Sequence, residues 1–263
     1  MKSLHAPAKI NLALVVGPKR PDGKHEVATV LQAVDLTDRI SLEPGTKLEI
    51  TGFAEDTLVR DALRSLADAT GIEPNWSVQI EKRIPVAAGL GGGSSDAAAA
   101  LRLANAALAS PLDEDRLHQL AAALGADVPF FLAGGSQLGT GDGSELTPIE
   151  LPEAYTVLLL LPKGASKSST ADVYAAFAGE HGFEERRAEL HAALQARDLA
   201  ALPPNDLASS PLAQELAVAG AFRADLSGAG PAVYGLFADR DQAAAACERF
   251  AERCATWLTA PAW

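Results

Sequence analysis

Cysteine is nearly missing from this chain: only Cys247 and Cys254 occur, both in the stretch AAAACERFAERC. Read as one helix, that spacing separates them by about 10 Å along the axis, too far for a disulfide. There is no CxxC pair and no Cys/His cluster with zinc spacing. The two thiols therefore read as small residues packed on one helix face, in a reducing cytoplasm. Aromatic residues are also scarce, at 5%, so Ala, Leu and Val must fill the core. Positive charge is in deficit, with a formal net charge of −12. That excludes a general nucleic-acid binder, which needs a basic face. An anionic ligand would meet a repelling mean field, which only a local cluster of donors can overcome. Long apolar runs are missing too. The longest aliphatic run, Val157 to Leu161, is far too short to span a bilayer. Lys9 and Asn11 interrupt the N-terminal stretch before it can form the apolar part of a signal peptide. A soluble cytoplasmic protein with neither membrane nor nucleic-acid partners is expected.

What is present suits a globular enzyme. The 263 residues are 48% hydrophobic and 21% charged, enough for a sizeable core in one or two domains. Strand-like stretches cover 8–16, 27–34, 39–42, 47–51 and 77–84, with a helix over 56–70 that stops at Gly71. Helices follow over about 95–109 and 113–124, with a short one at 128–132 and a loop or hairpin in GGSQLGTGDG. After residue 150 the texture changes to a buried strand at 157–161, helices at 171–178, 184–195 and 212–219, strands at 223–227 and 232–237, and a closing helix at 240–254. The pattern fits an α+β protein of two lobes, residues 1–150 and 151–263.

The stretch PVAAGLGGGSSDAAAAL, Pro85 to Leu101, places four glycines within five residues and then opens a helix. Glycine costs more ordering entropy than any other residue. Here the expense has a use. Glycines let backbone N–H groups converge, and a helix N-terminus adds orphan donors and partial positive charge. Together they form a phosphate cradle. Two familiar cradles do not match. A Walker A loop needs Lys before its Ser/Thr, and here Gly93 leads straight to Ser94 and Ser95. A dinucleotide fingerprint needs a final glycine where Ser94 stands, and no strand with a terminal acid follows at the required distance. The competing reading is a tight strand–helix connection with Ser95 as N-cap.

Three separated segments carry a resemblance: PAKINL (Pro7 to Leu12), the glycine stretch, and LSGAGPAVYGLF (Leu226 to Phe237). In this order they resemble the GHMP kinase superfamily, which phosphorylates small-molecule alcohols with ATP. RPDGKHE, LGADVPFFL and NDL resemble the branch of it that acts on a diphosphocytidyl alcohol in non-mevalonate isoprenoid synthesis. The resemblance implies an N-terminal α+β domain with a left-handed β-α-β unit and a C-terminal ferredoxin-like domain. It implies phosphorylation of the 2-hydroxyl of a methylerythritol moiety. Two alternatives stay open: another GHMP-type alcohol kinase, and a non-catalytic nucleotide-binding homologue.

The resemblance also implies roles. Asp127 is the general base for the attacking hydroxyl, with a helix N-cap as its competing role. Lys9 is the active-site cation. Asn11, two residues on, faces the same side of the strand and orients the hydroxyl or the base. Pro85, Val86, Ala87, Ala88, Gly89, Leu90, Gly91, Gly92, Gly93, Ser94 and Ser95 wrap the ATP phosphates, the two serines offering hydroxyls to phosphate or Mg2+. Asp96 is read as favourable first-turn charge, and no protein ligand set for Mg2+ is evident. His25 recognises the cytosine ring, with Tyr174 on one face and Thr170 on the same loop as Tyr174. The family has an aromatic residue before that histidine, and this chain has Lys24. Lys24 is therefore a candidate for the substrate's diphosphate. Ser227 to Pro231 either closes the phosphate site or forms a packing turn.

Overall fold

The computed structural model describes residues 1–53, 56–165, 170–177 and 182–262. The elements run β1 (Lys2–Lys19), β2 (His25–Pro44), β3 (Glu49–Thr51), α1 (Thr57–Thr70), β4 (Trp76–Glu81), α2 (Gly92–Asn105), α3 (Glu114–Leu124), α4 (Val128–Ala133), β5 (Ser136–Thr140) and β6 (Glu145–Pro148). They continue with β7 (Thr156–Pro162), α5 (Thr170–Ala176), α6 (Phe183–Ala196), α7 (Pro211–Val218), β8 (Arg223–Leu226), β9 (Val233–Phe237), α8 (Arg240–Phe250) and β10 (Cys254–Thr259). The chain forms two compact units. One contains Met1–Ala8, Leu36–Val86 and Gly91–Gly134, and the other Lys9–Asp35, Ala87–Leu90 and Gly135–Trp263.

In the first unit β4 pairs antiparallel with the second half of β2 and parallel with β3. The alternation of β4 buries Trp76, Val78 and Ile80 and exposes Gln79, as a strand with one covered face requires. Asp56 caps α1 by accepting the Val59 N–H, and Gly71 ends the helix in the left-handed region at φ 67°. The apolar stripe Val59, Leu63 and Leu66 is fully buried, and α1 packs on α2. The run Ala97 to Ala100 keeps α2 thin enough for α1 and α4 to approach it.

In the second unit the first half of β2 pairs with β5, and β5 with β6. Here too lies a four-stranded antiparallel sheet in the order β10-β7-β9-β8. Strand, helices, two strands, helix, strand along the chain, folded into that strand order, is the ferredoxin-like arrangement. Leu158, Leu160, Val233 and Phe237 from the sheet pack with Leu216 and Phe250 from the helices.

Several sequence expectations are corrected. Residues 27–34 and 39–42 belong to one unbroken strand, β2. The glycine-loop helix starts at Gly92, with Gly91 as N-cap at φ 71°, and ends at Asn105. Ser95 is therefore inside the helix and is not its cap. The closing helix stops at Phe250, and Cys254 opens β10. The two cysteines thus sit on different elements, and both are free thiols. Among the described residues no helix is long and apolar enough to cross a membrane.

Candidate active site

The second unit brings together Lys9, Asn11 and one part of the glycine loop. Lys9 and Asn11 sit on the same face of β1, and both are buried, at 4% and 5% exposure. The Lys9 ammonium donates to Asn11 Oδ1 at 2.6 Å. Asn11 Nδ2 donates to Thr29 Oγ1 at 2.8 Å, and that hydroxyl donates to the Ala13 carbonyl at 2.8 Å. A carbonyl can only accept, so the relay has one direction. It fixes the amide with its oxygen turned to Lys9.

The same strand holds the loop. The Lys9 N–H donates to the Leu90 carbonyl at 2.9 Å, and the Ala232 N–H to the Ala88 carbonyl at 3.0 Å. The Ser227 hydroxyl donates to the Gly89 carbonyl at 2.9 Å. Gly89 has φ 84°, and a Cβ there would lie 2.4 Å from the Ser227 carbonyl oxygen. Only glycine permits that approach. A Cβ on Gly228 would stand 3.3 Å from Asn11 Oδ1 and 3.4 Å from Lys9 Nζ. The turn after β8 thus lies directly on the Lys9–Asn11 pair. Asn205, from the NDL segment, steadies that turn by donating to the carbonyls of Leu226 at 3.1 Å and Gly228 at 2.7 Å.

His25 gathers a second group in this unit. Its Nδ1 lies 2.9 Å from the Gly17 carbonyl and so must donate. The neutral ring then carries its lone pair on Nε2. Tyr174 and Phe177 stand with ring centroids each 5.9 Å from the His25 ring. Lys24 is exposed and pairs with Asp142 at 2.5 Å. Burial would raise the Asp142 pKa, but the bonds from Lys24 and Ser144 outweigh it and pull it down to about 2. Thr170 opens α5, and its side chain lies outside the described residues.

The first unit holds the remainder of the loop and Asp127. Pro85 and Val86 lead into it, and α2 opens on Gly92 and Gly93 with backbone amides at its N-terminus. Ser94 is half-buried, whereas Ser95 Oγ is buried and has no hydrogen-bond partner. Asp96 is not in the first turn. It is fully buried, and Lys82 Nζ bonds its Oδ2 at 2.7 Å and Asp38 Oδ2 at 2.5 Å. Burial first, opposed by Lys82 and helped by the Asp38 and Asp56 charges, pushes the Asp96 pKa up to about 8. Asp127 is half-buried and precedes α4 with near-helical backbone, φ −81° and ψ −19°. Its side chain makes no capping bond to α4, so the N-cap role does not account for it.

Thr29, Asp38, Lys82 and Phe177 were not singled out by the sequence. Asn205 was quoted only as part of NDL. Among the described residues no group of three or more His, Cys, Asp or Glu side chains is placed to hold a metal ion.

Comparison with known proteins gives the family and the fold. The family described as GHMP kinases N terminal domain matches residues 57–135, and GHMP kinases C terminal matches residues 184–256. A 4-diphosphocytidyl-2-C-methyl-D-erythritol kinase of Gloeobacter violaceus is 39% identical, over 93% of this chain and 88% of the relative. The protein of the same name from Geobacter sulfurreducens is 38% identical, over 98% of this chain and 97% of the relative. A solved structure, described as a 4-(cytidine 5'-diphospho)-2C-methyl-D-erythritol kinase, superposes with TM-score 0.85. It is 32% identical and is covered in full, as is this chain.

Proposed function

Since this chain belongs to the GHMP kinase family, we propose that it transfers the γ-phosphoryl group of ATP to the 2-hydroxyl of 4-diphosphocytidyl-2-C-methyl-D-erythritol. The observation that carries this reading is the buried Lys9–Asn11 pair set against the loop carbonyl of Leu90. An ammonium held dry and aimed by an amide is a preorganised charge. It stabilises negative charge on the attacking oxygen and on the moving phosphoryl group. Asp127 takes the proton of the 2-hydroxyl as general base. The loop amides and the N-terminus of α2 hold the triphosphate, which answers the repulsion expected of a chain with net charge −12. The catalytic effect is positioning plus electrostatics, with no covalent intermediate on the protein.

His25 recognises cytosine. With Nδ1–H committed to Gly17, Nε2 accepts from the exocyclic amine, and Tyr174 offers a ring face beside it. Lys24 lies on the rim, already engaged by Asp142. Mg2+ bound to ATP would supply neutralising charge at the phosphates. The orphan Ser95 Oγ suits an oxygen-seeking ion that keeps most of its own water. Two free thiols suit a reducing cytoplasm.

ADP release from ATP, Mg2+ and the diphosphocytidyl substrate tests the assignment, beside the same assay with Asp127→Asn. Wild-type turnover is expected, with a loss of about 10²–10⁴-fold in the variant. No wild-type turnover on this substrate, with ATP still bound, would shift the assignment to another alcohol. Turnover that survives Asp127→Asn would keep the kinase and remove Asp127 as its base.

A further inference from the structure

The glycine loop is entered and left by residues tied to one partly buried side chain, Lys82. On the entry side, Asp38 Oδ1 accepts the N–H groups of Arg83 and Ile84 at 2.5 and 2.8 Å, immediately before Pro85. The other oxygen of Asp38 accepts from Lys82 Nζ. On the exit side, Lys82 Nζ also donates to Asp96 Oδ2, within α2. Charge-assisted bonds therefore link residue 84 to residue 96 directly, bypassing the loop. Asp38 and Asp96 are both fully buried. The first helical residue lies against this link: a Cβ on Gly92 would stand 3.2 Å from Lys82 Nζ and 3.1 Å from Ile84 Cγ2.

We propose that Lys82, bridging Asp38 and Asp96, is a positioning residue that clamps both ends of the glycine loop so that the first-turn amides of α2 meet the ATP phosphates. This rests on the kinase reading above. A buried ion-pair cluster is poor value as stability alone, because desolvation offsets most of its Coulomb gain. Its use is geometric. Charged hydrogen bonds are short and directional, and phosphate recognition by backbone amides fails when the amides are misplaced by even about 1 Å. Asp96 Oδ2 accepts from Lys82 whether or not the carboxyl is ionised, so the clamp does not depend on its protonation.

The test measures calorimetric Kd values for adenylyl imidodiphosphate with Mg2+ and for cytidine diphosphate. The proteins are wild type, Lys82→Met, Lys82→Arg and Asp96→Leu, which has no acceptor for Lys82, each checked for a cooperative melt. The expected result is selective: about tenfold or greater weakening of the ATP analogue in Lys82→Met and Asp96→Leu, unchanged cytidine diphosphate affinity, and partial recovery in Lys82→Arg. A purely structural role would weaken both ligands alike or neither, and either outcome overturns the clamp. If Lys82→Met does not fold, Asp96→Leu, which leaves Lys82 its Asp38 partner, decides. A wild type that binds no ATP analogue overturns the clamp together with the kinase reading. A wild type that binds it but does not phosphorylate the diphosphocytidyl alcohol removes only the substrate assignment, and the variant affinities still judge the clamp.

Discussion

Ser227 donates its hydroxyl hydrogen to the carbonyl of Gly89, 138 residues earlier in the chain, at 2.9 Å. The carbonyl of the same serine sits where a side chain on Gly89 would have to go, 2.4 Å from an ideal Cβ. The turn after β8 and the glycine loop are thus fitted to each other at backbone level. Gly89→Ala is expected to cost about 1–3 kcal/mol for forced repacking and about 1–2 kcal/mol more for a left-handed backbone at an alanine. Thermal melts should show a fall of several degrees, with ATP affinity reduced. A variant that melts with the wild type would mean that the two backbones are not held this close.

The relay from Lys9 to Ala13 makes a second prediction. Thr29→Val keeps the shape of the side chain and removes the hydroxyl that Asn11 Nδ2 bonds. The amide is left with an unsatisfied buried donor, at a cost of about 1–3 kcal/mol. It is also free to rotate and present nitrogen to the Lys9 ammonium. The expected kinetic result is a fall in kcat of about tenfold with little change in either KM, since the lost orientation acts in the transition state. A change confined to KM would place Thr29 in substrate binding instead.

The contrast between Asn11 and Thr29 shows how far the sequence could be read. Asn11 was legible because it lies two residues from Lys9 on a strand, and the period of a strand puts both on one face. Thr29 is 18 residues from Asn11, and nothing local announces the pairing. Asp38 reaches Lys82 and Ile84 over 44 and 46 residues, so the clamp was equally hidden. The start of α2 was misplaced for a different reason. Glycine reads as loop, yet Gly92 and Gly93 are helical, and glycine at 92 answers to packing, since a Cβ there would crowd Ile84 and Lys82. The closing helix was carried to Cys254 and no strand was expected after it, because CATWLT has weak alternation of its own. Its strand state comes from pairing with β7, a tertiary cause that outweighs local propensity.

Lys24 stands where the family places an aromatic residue, and its partner in the structure is Asp142. The pair is solvent-exposed on the lysine side, so its loss should change stability by no more than about 1 kcal/mol. Tyr174 and Phe177 already supply two aromatic neighbours to His25. Lys24→Tyr is therefore expected to leave the Kd for cytidine diphosphate within about threefold of wild type, or about 0.7 kcal/mol. Calorimetry on the two proteins checks this. Clear tightening in the variant would show that a stacking face is missing from the native site.

Asp96 titrates near 8, far above the ordinary 3.8 of a free aspartate. Burial is the main cause, the Asp38 and Asp56 carboxylates add to it, and Lys82 opposes them. Between those two values the folded protein holds a proton that the unfolded chain has released. The stabilising contribution is therefore complete below about pH 4 and disappears as pH rises through about 8. Lys82 does not reverse the trend. Burial lowers its pKa, but the charges and bonds of Asp96 and Asp38 outweigh that and hold it above the ordinary 10.5, so it stays charged throughout. Wild-type Tm should therefore fall as pH rises from about 4 to about 8 and level off above it, and Asp96→Asn should flatten the profile, because the amide has no proton to lose. Comparing the two proteins cancels the titration of every other group common to both. Parallel profiles would mean that Asp96 is already ionised in the native protein, its charge fully compensated by Lys82.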